Sequence, residues 1–190
     1  MAETENKRTV CPVEKAGGLD SKIRKWLQNP EKILRPYIKA GMTAIDLGCG
    51  PGFFTIAMAK LTGETGKVIA VDLQEGMLEI VKGKITGTEY EKRIELHKCG
   101  ENKIGLDVKA DFVLAFYMIH EVPDKENLFK ELGTILKPGG MLFIIEPNFH
   151  VSKKSFEAMI ESIVNSGFEV AEKPKMFFSR AILVKNLFVF

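Results

Sequence analysis

Apolar residues alternate along the chain between short continuous runs and stretches in which they recur every three or four positions. From Thr43 onward the runs predict strands, and the periodic stretches between them predict amphipathic helices. Five strands are predicted: Thr43–Leu47, Lys67–Asp72, Arg93–Lys98, Asp111–Phe116 and Met141–Glu146. Strands that alternate with helices build a parallel sheet covered on both faces. The pattern therefore predicts an α/β fold.

Two of the intervening helices have a clearly one-sided apolar pattern. The helix predicted after Asp124 places four apolar residues on one face: Leu128, Leu132, Ile135 and Leu136. The helix predicted after Ser152 places five there: Phe156, Met159, Ile160, Ile163 and Val164. Gly167 is a residue type that commonly follows a helix C-terminus, so we expect the second helix to end just before it.

The two ends of the chain depart from this alternation. Ser21–Gln28 and Pro30–Lys39 predict two short helices before the first strand, since Asn29 can cap a helix and Pro30 suits its first turn. Phe168–Val170 and Phe177–Phe190 predict two strands with only a short connection between them. A crossover helix does not fit in that connection, so we expect an antiparallel hairpin that closes the sheet.

Length and composition favour a single domain. The chain has 190 residues, of which 45% are hydrophobic, and its 27 basic residues nearly balance 25 acidic ones. That balance supplies no strong field for nucleic acid or an anionic membrane. No apolar run approaches the roughly 18 residues of a membrane span, and Met1–Val10 is polar, so we expect a cytoplasmic protein without a membrane span. Three cysteines, Cys11, Cys49 and Cys99, favour reduced thiols over disulfides.

The most informative segment is a glycine-rich turn at residues 48–52, which follows the first strand and precedes a helix. Glycine there permits unusual backbone angles and leaves room for a ligand against the main chain. In an open parallel sheet this turn lies in the crevice beyond the carboxyl ends of the strands. The next strand ends in Asp72, whose carboxylate can accept hydrogen bonds from both hydroxyls of a ribose. Together these features indicate an adenosine-containing ligand.

Two other interpretations of the turn compete with this one. A dinucleotide-binding fingerprint needs glycine or alanine at its final position, where Phe53 stands, and Pro51 removes an amide that a pyrophosphate uses. A purely structural turn would not require the acid at the end of the next strand. A dinucleotide ligand is therefore disfavoured. A turn without any ligand stays possible but is less favoured than an adenosine-containing ligand.

Three segments resemble motifs of the class I S-adenosylmethionine-dependent methyltransferases, particularly the small ones akin to those of ubiquinone and menaquinone biosynthesis. Asp46-Leu-Gly-Cys-Gly-Pro-Gly52 resembles the first motif, Val71-Asp72-Leu73 the ribose-binding acid, and Leu136-Lys-Pro-Gly-Gly-Met-Leu-Phe143 the turn into the fifth strand. The resemblance runs from about Leu34 to the C-terminus. It implies a Rossmann-like, seven-stranded, mostly parallel sheet with helices on both faces and a C-terminal antiparallel hairpin. We expect a single methyltransferase domain over 1–190, with 1–40 as a helical segment covering the active site and 41–190 as the cofactor-binding core.

The resemblance also implies S-adenosylmethionine as cofactor and S-adenosylhomocysteine as product. It places Gly48, Cys49 and Gly50 against the methionine moiety and lets Asp46 help to hold the amino group. The implied cofactor-binding residues are Asp46, Gly48, Cys49, Gly50, Gly52, Asp72, Leu73, Met77, Cys99, Gly100, Glu101 and Phe116.

Other positions in that set have separate implied roles. Leu73 and Met77 are implied to flank the adenine. Cys99 stands where the family usually places an acidic residue near the adenine amine, so either Glu101 or a backbone group takes that contact. The segment that begins at Phe116 corresponds to the one beneath the reactive sulfonium.

Methyl transfer from a sulfonium is an in-line displacement, so the main task of the protein is to align the reactants in a dry pocket. A carbon acid or hydroxyl acceptor must also lose a proton, and His120 is the candidate base because its ionisation lies near neutral pH. A histidine hydrogen-bonded to a neighbouring loop is the competing interpretation. Tyr117 and Glu121 are further candidates beside it.

The segments expected to cover the acceptor pocket, Val10–Trp26 and Glu146–Lys154, are short, which favours a small-molecule acceptor over nucleic acid. A metalloid acceptor held by Cys11 with Cys49 or Cys99 is an alternative, as is a protein acceptor. A module that binds S-adenosylmethionine without turnover is a third hypothesis. The sequence predicts no metal site and leaves the oligomeric state open.

Overall fold

The computed structural model describes residues 29–188, which contain seven strands and five α-helices. The strands are β1 Thr43–Leu47, β2 Lys67–Asp72, β3 Ile94–Lys98, β4 Ala110–Phe116, β5 Leu136–Pro147, β6 Phe168–Glu172 and β7 Ser179–Asn186. The helices are α1 Pro30–Leu34, α2 Thr55–Thr62, α3 Glu75–Ile85, α4 Lys125–Ile135 and α5 Lys153–Asn165, with a 3₁₀ turn at Ile119–Glu121. No helix in this part of the chain is long and apolar enough to cross a bilayer.

The strands form one sheet in the order β3-β2-β1-β4-β5-β7-β6. β1 to β5 run parallel, and β7 is antiparallel to both β5 and β6. The predicted α/β sheet with a closing antiparallel hairpin is therefore confirmed. The chain leaves β1 toward one edge and returns at β4, so the crevice between β1 and β4 is the switch point of the sheet.

Two apolar layers cover the sheet, one on each face. β4 shows the division most simply, because Phe112 and Leu114 pack into one layer and Val113 and Ala115 into the other, all without exposed surface. Burial on both faces explains why such a strand reads as a continuous apolar run. α4 and α5 supply helical residues of one layer, and α2 and α3 supply those of the other.

The N-terminal helix is shorter than the pattern predicted. Its start is as expected, because the Asn29 side chain accepts a hydrogen bond from the Lys32 amide at 3.0 Å. Its end comes at Leu34 because Pro36 has no amide to donate to the preceding turn. The predicted helix at Ser21–Gln28 lies outside the described residues.

The later part of the chain also departs from the prediction in places. β5 begins at Leu136, directly after α4, and its early residues bulge where the register against β4 shifts. β7 begins at Ser179, because Phe178 has a φ of +58° that does not continue a strand. On α5, Val164 is 45% exposed and so lies outside the buried face on which it was predicted, while Gly167 follows the helix with a φ of +90° as expected.

A buried amide at the end of β7 ties the last strand to the centre of the fold. The Asn186 side chain is 1% exposed and donates to the carbonyl oxygens of Gly133 at 2.9 Å and Leu136 at 3.0 Å. Its oxygen accepts from the Phe188 amide at 3.2 Å. These bonds satisfy backbone groups where α4 gives way to β5.

We expect Asn186→Ala to lower the free energy of unfolding by about 2–3 kcal/mol, because buried backbone groups lose their partners. Urea denaturation of both proteins measures this difference. The control is Asn165→Ala, an exposed residue at the end of α5, for which a change within about 0.5 kcal/mol is expected. Equal effects of the two substitutions would contradict the assignment.

Candidate functional site

The turn after β1 is fastened to the end of β2 by main-chain hydrogen bonds. The amides of Gly48 and Cys49 both donate to the Val71 carbonyl oxygen at 2.9 Å. Gly48 has a φ of +69°, and a Cβ there would lie 2.9 Å from the Cβ of Met118. Any other residue would therefore be strained and would collide with the segment that follows β4.

The Asp72 carboxylate joins this turn to the start of α3. One of its oxygens accepts from the Gly50 amide at 2.8 Å, and the other accepts from the Gln74 amide at 2.9 Å. Burial raises the pKa of Asp72, and the two amide hydrogen bonds oppose that shift. Gly50 has a φ of +52°, and a Cβ there would meet no described atom within 4 Å, so the main chain is bare at this point.

A cavity of about 380 Å³ opens between this turn and the segments that follow β2, β3 and β4. Eleven of the twelve predicted cofactor-binding residues line it: Asp46, Gly48, Cys49, Gly50, Asp72, Leu73, Met77, Cys99, Gly100, Glu101 and Phe116. The structure thus brings residues from four separate segments of the chain to one cavity.

Two predicted site residues lie outside that lining. Gly52 has a φ of +81°, and a Cβ there would lie 3.0 Å from the side chain of Val81, so its place in the structure is a close contact between the turn and α3. His120 is turned toward β5.

Asp46 is a buried carboxylate at the edge of the cavity. It is 2% exposed and accepts a hydrogen bond from the Thr55 hydroxyl at 2.6 Å. Burial raises the pKa of Asp46 to about 7, and the charge of Asp72 adds to the shift while the Thr55 hydrogen bond opposes it. The group therefore changes its charge near neutral pH.

The two described cysteines are free thiols. Burial and the nearby carboxylates raise the pKa of Cys49, and burial and Asp72 raise that of Cys99. Thiols in such surroundings stay protonated and are poor metal ligands. Among residues 29–188 no group of three histidine, cysteine, aspartate or glutamate residues is placed to hold a metal ion, and Cys11 lies outside the described residues.

Residues that follow β3 close another side of the cavity. The Cys99 amide donates to the Asp72 carbonyl oxygen at 3.0 Å, which holds the start of this segment beside β2. Farther along, the carboxylate of Glu131 on α4 accepts from the amides of Ile104 and Gly105 at 2.9 and 2.8 Å. Glu101 lies between these two anchors and lines the cavity with an exposed side chain.

Aromatic rings form a wall of the cavity that sequence reasoning underestimated. The ring centroids of Phe53 and Phe54 are 5.2 Å apart, those of Phe54 and Phe116 4.4 Å, and those of Phe116 and Tyr117 4.0 Å. Tyr117 has a φ of +58°, an outlier for a bulky residue, and its hydroxyl is 2.6 Å from that of Ser179. The feature of the sequence that could have indicated this wall is the pair of consecutive phenylalanines, Phe53 and Phe54, directly after the glycine turn.

Glu146, at the end of β5, is the partner of His120. Its side chain is 1% exposed, and one carboxylate oxygen lies 2.5 Å from His120 Nδ1 while the other accepts from the His120 amide at 3.3 Å. This hydrogen bond raises the pKa of His120, and partial burial opposes the shift. The ring of His150 stacks on that of His120, with ring centroids 5.9 Å apart and planes at 10°. A charged residue that ends an apolar strand was the sequence signal for Glu146.

A bare glycine turn and an acid at the ends of neighbouring parallel strands define a nucleoside-binding α/β architecture. A model of the methyltransferase domain family matches residues 38–179 of this chain. The chain therefore belongs to the methyltransferase domain family. Its strand order and closing hairpin agree with the fold that the sequence resemblance implied.

Individual relatives give the same picture. The chain is 34% identical over 132 residues to the demethylmenaquinone methyltransferase of Lactobacillus johnsonii, which covers 67% of this chain and 54% of the relative. With the enzyme of the same name from Staphylococcus aureus the identity is 35% over 122 residues, or 63% of this chain and 50% of the relative. The chain thus spans about half the length of these curated relatives.

A solved structure matches over more of the chain. A SAM-dependent methyltransferase from Aquifex aeolicus superposes with a TM-score of 0.84 at 29% identity and covers 93% of this chain and 100% of its own. The likeness therefore extends over nearly the whole chain.

We expect Asp46→Asn to raise the free energy of unfolding at pH 8 by about 2–4 kcal/mol. The folded-state pKa of about 7 exceeds the ordinary value of 3.8, so this carboxyl group costs stability progressively as the pH rises from about 4 to 7. Asparagine carries no charge and can still accept from Thr55. Urea denaturation at several pH values should show that the extra stability of the variant shrinks toward pH 4. A difference in unfolding free energy that does not change with pH would contradict the raised pKa of Asp46.

Proposed function

We propose that this chain binds S-adenosylmethionine and transfers its methyl group to a small-molecule acceptor of the quinol type. The observation that carries the proposal is that the bare turn at Gly50 and the carboxylate of Asp72 open onto the same cavity. The family membership supports the class of reaction. The names of the relatives support the class of acceptor.

The residues present fit the nucleoside part of the cofactor. A carboxylate has about four acceptor positions, of which the Gly50 and Gln74 amides use one on each oxygen of Asp72, and the Leu73 amide also hydrogen-bonds to the group. At least one position is then left to accept from a ribose hydroxyl. The same two amides fix the orientation of the carboxylate in advance, so little entropy is lost when a ligand binds.

The residues also fit the cationic part of the cofactor. When bound, the cofactor supplies a methyl group on a positively charged sulfur. The Asp46 carboxylate is ionised above about pH 7 and can then attract an ammonium group. The faces of Phe116 and Tyr117 attract cations and exclude water from the cavity.

A flat aromatic acceptor suits the aromatic wall formed by Phe53, Phe54, Phe116 and Tyr117. A quinol must lose a proton as it becomes a nucleophile. We assign that proton to His120, which lies outside the cavity lining but directly before Glu121, a residue of the lining, and whose Nδ1 contact with Glu146 leaves Nε2 as the accepting nitrogen. Glu146 acts through His120 and is therefore a positioning residue.

The proposal is tested first by binding. Calorimetry with S-adenosylhomocysteine should give an affinity at least about 30-fold weaker for Asp72→Ala than for the original chain, since hydrogen bonding to a charged acceptor is lost. Asp107→Asn, an exposed aspartate outside this cavity, is the control and should bind normally. No measurable affinity in the unaltered chain would overturn the proposal.

Turnover is tested with radiolabelled S-adenosylmethionine and a panel of naphthoquinols, benzoquinols, phenols and thiols. Label should appear in the quinols. Firm cofactor binding without label in any acceptor would instead indicate a binding module, and label in thiols alone would change the acceptor class.

The pH dependence of turnover tests the pair of His120 and Glu146. Neutral His120 is the base, so kcat should fall as the pH drops through the raised pKa of that residue. Glu146→Gln removes the charge that raises this pKa, and we expect the acid limb of the kcat profile to move to lower pH together with an approximately tenfold or greater loss of kcat. A profile from about pH 5 to 9 measures both effects.

The matched control for that experiment is His150→Gln, because His150 stacks on the ring of His120. The acid limb of the kcat profile of this variant should stay at the same pH as in the original chain. An unchanged profile for Glu146→Gln would show that the pair is only structural.

A further inference from the structure

Three of the most exposed large apolar side chains lie together beside the carboxyl ends of the parallel strands. Phe149 is 71% exposed, Phe177 81% and Phe178 59%. Pro147 pairs with Ser179 across β5 and β7, and the Asn148 amide donates to the Phe178 carbonyl oxygen at 3.1 Å. These bonds hold the loop after β5 against the connection between β6 and β7, so the three rings share one surface.

One of these residues, Phe178, has a strained backbone conformation. Phe178 has a φ of +58°, a conformation that bulky residues avoid. The rings of Phe177 and Phe178 contact each other edge to face, with centroids 5.1 Å apart. Exposed aromatic residues in such a cluster mark an interaction surface more often than isolated ones do.

The same surface is rich in positive charge. Residues 148–157 and 172–180 carry five basic residues, Lys153, Lys154, Lys173, Lys175 and Arg180, against the two acidic residues Glu157 and Glu172. Lys173 pairs with Glu157 at 3.3 Å, which places the first turns of α5 beside the end of β6. The local excess of three positive charges is larger than the net charge of +2 on the whole chain. We refer to the three phenylalanines and five basic residues as the rim patch.

We propose that the rim patch docks this protein on the surface of an anionic lipid bilayer. Phenylalanine rings insert at the boundary between headgroups and acyl chains, and neighbouring lysines attract acidic headgroups. A nucleic acid would also attract the lysines, but three exposed phenylalanine rings gain more by leaving water for the apolar part of a lipid interface. The docking is peripheral and does not depend on the proposed methyl transfer.

The location of the rim patch gives docking a geometric consequence. β5 and the segment after β4 end on the edge of the sheet where the cavity opens, and Tyr117 in the cavity wall is 2.6 Å from Ser179, which directly follows Phe178. A bilayer on the rim patch would therefore lie beside the aromatic wall of the cavity.

Vesicle flotation tests the proposal with the full chain. Vesicles of phosphatidylcholine with about one third phosphatidylglycerol should carry the protein, and vesicles of phosphatidylcholine alone should carry at least about tenfold less. Raising the salt from 0.1 M to 1 M shortens the screening length from about 10 Å to about 3 Å, and binding should fall accordingly. Equal binding to both kinds of vesicle, or to neither, would overturn the proposal.

Paired variants separate the apolar and the charged parts. Phe177→Ser with Phe178→Asn, which suits a positive φ, should weaken binding about tenfold, and Lys153→Glu with Lys154→Glu should weaken it by a similar factor. The controls are Val164→Ser with Leu187→Ser, and Lys82→Glu with Lys92→Glu, which are exposed residues outside the rim patch.

Circular dichroism confirms that each variant folds. Equal losses in the controls would overturn the proposal. Sedimentation velocity without lipid shows whether the phenylalanine variants instead abolish a dimer, which would assign the surface to a second copy of the chain and overturn the lipid assignment.

Discussion

The geometry of the candidate site depends on one carboxylate, that of Asp72, which accepts from an amide on either side of it. The two hydrogen bonds connect the turn after β1 to the start of α3, so they fix the positions of main-chain atoms that come from two different strands. Hydrogen bonds from backbone amides to a charged acceptor are stronger than neutral ones. They offset the cost of keeping this charge at the edge of an apolar cavity.

Much of the sheet could be predicted from sequence because burial on both faces produces long apolar runs. β1 and β2 have the predicted boundaries, and β3 and β4 differ by one residue. Prediction was poorer where local chemistry decides the backbone: α1 ends at Leu34 because of Pro36, β5 starts with a bulge, and β7 starts only after Phe178. Hydrophobic periodicity carries no information on such exceptions.

The candidate site was predictable where it consists of main chain and less so where side chains meet across strands. The glycines and Asp72 follow a spacing along the sequence, and the structure places most of that set around one cavity. The contact of His120 with Glu146 joins residues that are 26 positions apart in the sequence. The rim patch joins two loops whose local positive charge is not evident from the nearly balanced charge of the whole chain. Both depend on register between strands, which a single sequence does not encode locally.

The position of β7 between β5 and β6 has a consequence for biosynthesis. β5 and β6 leave the ribosome first, and until the strand between them has been made, β6 has no partner in the sheet and β5 can pair only with β4. During that interval β5 presents unpaired amides and carbonyls along one edge, which is a hazard for association with other nascent chains. The native pairing of β5, β7 and β6 is therefore a late step in folding, even if the strands around β1 pair earlier.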